Sequence, residues 1–232
     1  MKPLGLPRVH HREINSTNDA ARALAAAGAP HGTLVTAQAQ SEGRGRQGRV
    51  WSAVTGSSLI CTVILRDPPA LLPLAAGVAV AETLAEFGHD AQLKWPNDVL
   101  IEERKVAGIL AEGRPSEGWA IVGIGLNVAV ALTDLPEELQ LTAATMGLGA
   151  DDVEPVLDTL LRKLSLGLQQ SDTELLAAFN ERDVLLGRQV KWSGGVGIGA
   201  GIDGTGRLIV TGDDGIRHLL DAGEVHLGSI IP

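Results

Sequence analysis

Residues 92–127, QLKWPNDVLIEERKVAGILAEGRPSEGWAIVGIGLN, hold four short apolar runs that are separated by turn residues. These runs are Gln92–Trp95, Val99–Glu102, Lys105–Glu112 and Trp119–Asn127. We interpret each run as a β-strand, because Pro, Asn, Asp, Gly and Ser mark the breaks between them. Connections this short favour antiparallel pairing, since parallel neighbours need a much longer crossover. The stretch therefore predicts the antiparallel part of a sheet.

Helices and further strands flank this stretch without alternating regularly with it. Helical patterns are found at residues 16–28, 74–87, 153–168 and 172–183, and strand patterns at 33–38 and 58–65. Ser16 or Thr17 is expected to cap the first helix, and Gly28 to end it. The irregular order predicts an α+β domain with a mixed or antiparallel sheet covered by helices.

The sequence changes in character after Leu186. Short β-type runs at 189–192, 198–202, 208–211 and 216–219 are separated by SGGVG, DGTG, GDDG and DAGE. This spacing is typical of a small β-barrel, here of the SH3-like type. We therefore predict a larger domain over residues 1–186 and a small C-terminal barrel domain over residues 187–232.

Composition narrows the classes of function. The chain has 232 residues, 44% of them hydrophobic, with a net charge of −9 and a pI of about 5.1. An acidic chain is a poor electrostatic match for nucleic acid. The only cysteine, Cys61, lies in an apolar run and is expected to be a buried thiol. With neither an apolar signal core nor an apolar span of about 20 residues, we expect a cytoplasmic protein.

A loop rich in glycine and arginine, Gly43–Arg49 (GRGRQGR), is the main functional signal. Its three arginines suit phosphate and carboxylate oxygens, and its glycines let a backbone approach a ligand closely. The loop is not a Walker A motif, because GxxxxGK[ST] is absent. By itself it indicates either a site for an anionic small molecule or a solvated or RNA-binding tract.

Three further motifs carry polar residues at the ends of predicted strands. The Pro96-Asn97-Asp98 turn is either a simple Asx turn or a turn that holds a nucleotide or its metal. Lys105 either extends to solvent or neutralises an oxyanion. The glycines of Gly123–Asn127 are explained by crowding alone, and GIGLN is too short for a dinucleotide fingerprint.

Together these motifs resemble the biotin protein ligases closely. The resemblance runs from Ser16-Thr17-Asn18 through GRGRQGR with Trp51, KWPND and KVAGIL to GIGLN, and covers nearly the whole chain. It implies the fold that biotin and lipoate ligases share. It also implies biotinylation of a lysine on a biotin carboxyl carrier protein, with biotin and ATP as substrates, Mg²⁺ as the ion and biotinyl-5′-AMP as the intermediate.

The resemblance also implies a role for individual residues. Biotin would be bound by Ser16, Thr17, Asn18, Gln40, Gly43, Arg44 and Lys105. The nucleotide would be bound by Arg46, Arg49, Trp51, Asn97, Asp98 and Asn127, with Trp51 packed on the adenine. Lys105 and Arg46 would be catalytic, and Asp98 is both the candidate magnesium ligand and a candidate base for the carrier lysine. Clustered cations agree with this reading, since two anions must be brought together.

Several alternatives remain at this level. A lipoate or octanoate protein ligase or transferase is the rival enzyme, but Gln40 with Ser16 and Thr17 favours a polar ureido ring. A nucleic-acid-binding protein conflicts with the acidic charge, and a pure biotin-binding module leaves Lys105 without a task. Only 15 residues precede Ser16, too few for a helix-turn-helix domain, so no DNA binding is expected. No membrane partner is expected, and a homodimer is left open.

Overall fold

A seven-stranded sheet forms the centre of the fold in the computed structural model, which describes residues 3–221 and 225–227. Its strands are, in chain order, β1 (Arg8–Ile14), β2 (Leu34–Gln40), β3 (Ser58–Arg66), β4 (Gln92–Lys94), β5 (Asp98–Ile101), β6 (Arg104–Arg114) and β7 (Trp119–Asn127). In space they run in the order β1-β2-β3-β7-β6-β5-β4. Strands β1 and β2 are parallel, and every other neighbouring pair is antiparallel. The predicted mixed sheet within an α+β fold is confirmed.

Helices cover both faces of this sheet. They are α1 (Thr17–Ala26), α2 (Leu72–Glu86), α3 (Glu137–Gln140), α4 (Val153–Gly167) and α5 (Asp172–Asn180). The alternation of side chains along β3 separates the two faces. Ile64 packs against the α1 residue Ala21, whereas Val63 belongs to the main core with α2 and α4. Cys61 is buried, as expected, and burial raises its pKa to about 12.

Two features of the N-terminal region differ from what the sequence patterns predict. Strand β1, with the sequence RVHHREI, has no counterpart among the predicted strands, because its charged side chains show no apolar alternation and it lies at the sheet edge. Ser16 occupies the N-cap position of α1, but its side chain makes no capping hydrogen bond. Gly28 follows the helix with φ of +89°, in agreement with its predicted role as the stop.

The C-terminal region forms a second, antiparallel sheet. Its strands are β8 (Gln189–Trp192), β9 (Gly195–Ile202), β10 (Leu208–Gly212), β11 (Arg217–Leu220) and β12 (His226–Leu227), in the spatial order β11-β10-β9-β8-β12. Strand β9 begins three residues earlier than expected, and β11 begins one residue later. Residues 222–224 and 228–232 of the predicted barrel lie outside the described part of the chain. Closure of the barrel and the domain boundary at residue 186 remain predictions.

Strand β4 and the residue after it contact both the segment that follows α5 and the second sheet. Leu93 of β4 accepts from the backbone of Val184 at 2.9 Å, and its own N–H donates to the carbonyl of Arg182 at 2.8 Å. The indole Nε1 of Trp95 donates to the carbonyl of Gly206 at 3.0 Å. Leu93 and Trp95 share one buried cluster with Leu208 of β10. Within the described residues, none of the helices has the length and apolarity needed to cross a membrane.

Candidate functional site

A cavity of about 430 Å³ opens over one face of the central sheet. Its walls come from the start of α1, the loop after β2, strands β4 to β7, and Leu227 of β12. Of the residues singled out from the sequence, this cavity is lined by Ser16, Thr17, Asn18, Gln40, Arg44, Arg46, Arg49, Trp51, Asn97, Asp98, Lys105 and Asn127. Gly43 lines the neighbouring cavity beneath the loop instead. The fold therefore brings residues that are far apart in sequence to one place.

One end of the cavity, here called the α1 end, is formed by Ser16, Thr17, Asn18 and Gln40. The side-chain oxygen of Gln40 accepts from the backbone N–H of Thr17 at 2.7 Å and from its hydroxyl at 3.1 Å. The hydroxyl of Ser16 is buried and has no hydrogen-bond partner among the described residues. A buried polar group left unpaired is costly, so this hydroxyl is suited to a polar ligand.

Beneath the α1 end, β3 contributes a buried threonine. The hydroxyl of Thr62 donates to the side-chain oxygen of Asn18 at 2.8 Å and lies 2.9 Å from the hydroxyl of Thr17. A Cβ on Gly123 would lie 2.9 Å from Cγ of Asn18. The glycine thus makes room for this polar side chain, which agrees with the crowding interpretation of the GIGLN motif.

The opposite end, here called the lysine end, is formed by Trp51, Asn97, Asp98 and Lys105. Nζ of Lys105 lies 2.5 Å from Oδ1 of Asp98 and 5.6 Å from the centroid of the Trp51 ring. Lys105 therefore extends along the cavity toward Asp98 and Trp51, and its side chain is only partly exposed. Nη1 of Arg46 is 3.5 Å from Oδ1 of Asn97, which draws a second cation to this end. The two cations outnumber the single carboxylate at this end, so they can bind the anionic groups of a ligand.

The turn before β5 differs from a simple Asx turn. The side-chain amide of Asn97 donates to the carbonyl of Ile109 on β6 at 3.0 Å, and the N–H of Ile109 donates back to the Asn97 carbonyl at 3.0 Å. Strand β5 begins at Asp98, one residue earlier than expected, and the Trp95–Pro96 peptide bond is cis. Asp98 is therefore fixed on a strand beside Lys105.

Trp51 lies flat against two glycines of the sheet. A Cβ on Gly125 would be 2.5 Å from the indole Nε1, and one on Gly108 would be 3.1 Å from Cζ3. The Nε1 donor is buried without a partner among the described residues. Asn127 at the end of β7 shows the same pattern, because its amide donates to the Ala144 carbonyl at 2.9 Å while its Oδ1 stays unpaired. Both groups leave unsatisfied polar atoms in the cavity wall.

The arginine loop (residues 43–49) has more regular structure than its composition suggested. It contains a short 3₁₀ turn at Arg46–Gly48, and the N–H of Gly45 donates to the carbonyl of Arg49 at 2.7 Å. A Cβ on Gly43 would collide with the carbonyl of Trp51, so only glycine is accommodated there. Gly43 thus lets the first residue of the loop pack against the backbone of Trp51, just beyond the end of the loop.

The residues fit a magnesium ion only in a limited sense. No group of three or more His, Cys, Asp or Glu side chains suited to a metal occurs in residues 3–221 and 225–227. Asp98 is a single carboxylate already paired with Lys105. Mg²⁺ is commonly held by one or two carboxylates together with substrate phosphates. Asp98 is therefore compatible with an ion that arrives with a nucleotide, and not with a resident metal centre.

Several residues of the site were not foreseen from the sequence. Thr62 was detectable as a polar residue within the apolar run of β3. The wall formed by Leu135, Leu139 and Ala143 carries no local sequence signal, and neither does Leu227, which comes from the second sheet. Long-range packing alone places these side chains around the cavity.

Comparison with known proteins agrees with this geometry. The family model described as "Biotin/lipoate A/B protein ligase family" matches residues 11–128, which include most of the cavity wall. The chain belongs to the biotin/lipoate A/B protein ligase family. Members similar to it include "Biotin--[acetyl-CoA-carboxylase] ligase" of Mycobacterium tuberculosis, 36% identical over 92% of this chain and 86% of that protein. The protein of the same name from Paracoccus denitrificans is 35% identical over 92% of this chain and 98% of its own.

Other relatives extend beyond the matched region or define the fold. "Bifunctional ligase/repressor BirA" of Bacillus subtilis is 38% identical over 64% of this chain, and the match spans about half, 49%, of that protein. Among solved structures, "Biotin protein ligase from Aquifex aeolicus in complex with biotin and ATP" is similar with a TM-score of 0.82 and 30% identity. That similarity covers 97% of this family member and 99% of the Aquifex chain.

Proposed function

We propose that the protein is a biotin protein ligase that activates biotin with ATP and transfers the biotinyl group to a lysine of a biotin carboxyl carrier protein. The observation that carries the proposal is the two-ended cavity. Its α1 end offers amide and hydroxyl groups, with the Ser16 hydroxyl unpaired. Its lysine end gathers Lys105, Arg46 and Asp98. The cavity can thus bind a polar ring at one end and the reacting anionic groups at the other.

The choice of biotin over lipoate rests on two grounds. The relatives from Mycobacterium and Paracoccus are named as biotin ligases, and the Aquifex structure is named as a complex with biotin and ATP. The ureido ring of biotin has N–H donors and a carbonyl acceptor, which Gln40, Thr17 and Ser16 can match. The dithiolane ring of lipoate has neither, so it would leave the Ser16 hydroxyl unpaired.

In the first step, the biotin carboxylate attacks the α-phosphorus of ATP, a new P–O bond forms, and the bond to the leaving pyrophosphate breaks. The product is biotinyl-5′-AMP. Lys105 binds the reacting carboxylate and phosphate oxygens, and Arg46 and Arg49 bind phosphate oxygens. Trp51 packs beside the adenine, and Asn97 and Asn127 bind the nucleotide. These residues act by positioning and by neutralising charge.

In the second step, the carrier lysine attacks the acyl carbon of the anhydride, an amide bond forms, and AMP leaves with the electron pair of the broken bond. The attacking ammonium must first lose a proton, and Asp98 is the proposed acceptor because it lies in the cavity beside Lys105. Asp98 would also contact the Mg²⁺ that accompanies ATP. The cytoplasmic location remains a prediction from the sequence, and the homodimer stays open.

Incubation with biotin, MgATP and a biotin carboxyl carrier domain, followed by intact mass measurement, tests the proposal. We expect the carrier domain to gain one biotinyl group, and a carrier whose target lysine is changed to arginine to gain none. Gain of a lipoyl group from lipoate with none from biotin would overturn the assignment. No transfer of either group would reject the ligase function.

A further inference from the structure

An ion-pair network that the proposed reaction does not use joins α1 to the arginine loop. Nη2 of Arg44 lies 2.9 Å from Oδ2 of Asp19, and Oδ1 of Asp19 lies 2.7 Å from Nη1 of Arg22. Nη2 of Arg22 reaches Oε1 of Glu112 on β6 at 2.5 Å. Arg22 thus binds one oxygen of the Asp19 carboxylate, and Arg44 contacts the other.

The same network reaches the α1 end of the cavity. Oε2 of Glu112 accepts from the side-chain amide of Asn18 at 2.8 Å, and the Asn18 oxygen accepts from Thr62. Asn18 and Arg44 both line the cavity, whereas Asp19 stands behind them. One chain of charge-assisted contacts therefore connects the loop to the side chains proposed to bind the ureido ring.

We propose that Asp19 is a positioning residue that holds Arg44 against α1 and so places the first half of the arginine loop over the α1 end of the cavity. This inference rests on the proposed function, because it assumes that this end binds biotin. Three arginines crowded into one short loop repel one another and favour open conformations. Asp19 neutralises one of them, and it does so without ligand.

The exposure of the pair between Arg44 and Asp19 limits its contribution to folding stability. The side chains of Arg44 and Asp19 are 48% and 32% exposed. Ion pairs exposed to this extent contribute little to folding stability, and many contribute nothing measurable. Removal of the Asp19 charge should therefore leave the fold intact and act on the loop. If Asp19 served only to stabilise the fold, the effect of removing its charge would not depend on whether Arg44 is present.

A double-mutant cycle separates these two roles. Asp19→Asn, Arg44→Gln and the double variant are compared with the wild-type protein, and biotin binding is measured by titration calorimetry without ATP. We expect Asp19→Asn to weaken biotin binding about threefold, within what an exposed ion pair can contribute, and Arg44→Gln to weaken it about tenfold. The double variant should be no weaker than Arg44→Gln alone. The KM for ATP should change less than twofold, because the nucleotide lies at the lysine end.

Glu154→Gln is the matched control. It breaks the bidentate pair between Glu154 and Arg8, whose oxygen–nitrogen distances are both 2.7 Å and which lies away from the cavity. It should leave biotin binding unchanged.

Three results would overturn the inference while leaving the proposed function intact: unchanged biotin binding in Asp19→Asn, additive losses in the double variant, or an equal loss in Glu154→Gln. If Asp19→Asn lowers the melting temperature, the test rests on Arg44→Gln. The inference then fails unless Arg44→Gln by itself weakens biotin binding. A wild-type protein that binds no biotin would instead reject the proposed function, and the inference with it.

Discussion

Replacing Gly125 with alanine tests how the sheet supports the wall of the cavity. Gly125 lies on β7 with Trp51 flat against it, and an added Cβ would be 2.5 Å from the indole Nε1 and 2.8 Å from Cζ2. Ordinary contacts between such atoms are about 3.5–4.0 Å, so the overlap is about 1 Å. The backbone permits alanine, because φ of Gly125 is not among the positive values. Trp51 must therefore move.

The cost follows from what Trp51 contributes to nucleotide binding. Complete burial of a large apolar side chain provides about 1.5–3 kcal/mol. If the displaced indole loses most of its contact with the adenine, about 2 kcal/mol of binding free energy is lost, which corresponds to roughly a thirtyfold rise in the KM for ATP. The KM for biotin should change far less, because Gly125 does not contact the residues of the α1 end.

Pyrophosphate release measured at varied ATP and varied biotin gives both KM values. Gly123→Ala is the matched control, since Gly123 lies two residues away on the same strand and its Cβ would meet Asn18 instead of Trp51. We expect the opposite pattern for this variant, with the KM for biotin raised and that for ATP little changed. Thermal unfolding of both variants checks that the fold survives.

A second variant ties the effect to the indole. When Trp51→Ala is combined with Gly125→Ala, the added methyl group has nothing to displace, so the double variant should match Trp51→Ala alone. The reasoning would be refuted if Gly125→Ala left the KM for ATP unchanged, if it raised both KM values equally, or if the two losses were additive.

Three further predictions concern other parts of the molecule. Lys105→Ala should slow biotin-dependent pyrophosphate release at least a hundredfold, about 2.7 kcal/mol, and a loss below tenfold would contradict its catalytic role. Burial raises the pKa of Asp183 from 3.8 to about 6, against the lowering effect of the hydrogen bond from the Leu185 N–H. Its contribution to stability is therefore present below pH 3.8 and lost as the pH rises through 6. In urea denaturation, the free energy of unfolding of Asp183→Asn should therefore rise by about 3 kcal/mol relative to that of the wild type between those two pH values. Parallel curves of stability against pH for the two proteins would exclude this. Finally, trypsin should cut the arginine loop faster in the free protein than with biotin and ATP, because bound anions offset the repulsion between its arginines, and equal rates would argue against loop ordering.

The sequence predicted those parts of the fold that local pattern controls. The four runs between residues 92 and 127 became β4 to β7, because short connections and β-type residues act within a few positions of one another. The sequence does not predict strand β1, because an edge strand with exposed charged side chains has no apolar face that a pattern could indicate. Its parallel pairing with β2 depends on α1 crossing between them, which no local signal encodes.

The candidate site was predicted unevenly for the same reason. Motif residues such as Lys105 and Asn97 stand out by their position at strand ends, and the structure places them in one cavity. The partners that hold them are set by tertiary contacts. Arg44 meets Asp19 across 25 residues of sequence, and Asn97 bonds the Ile109 carbonyl on another strand. Sequence spacing therefore identified the residues of the site, but not what orients them.

The hydrogen bond from Trp95 to Gly206 bears on how small a working version of this protein could be made. Gly206 has φ of +86°, and a Cβ there would lie 2.9 Å from Leu71, beside α2. The turn between β9 and β10 is thus seated directly behind the KWPND motif. Removing the chain beyond residue 186 would take away the hydrogen-bond acceptor of Trp95 and the part of the buried cluster that β10 supplies, and would expose a patch prone to aggregation. A shortened version of the protein would need polar replacements on that newly exposed surface before its tail could be deleted.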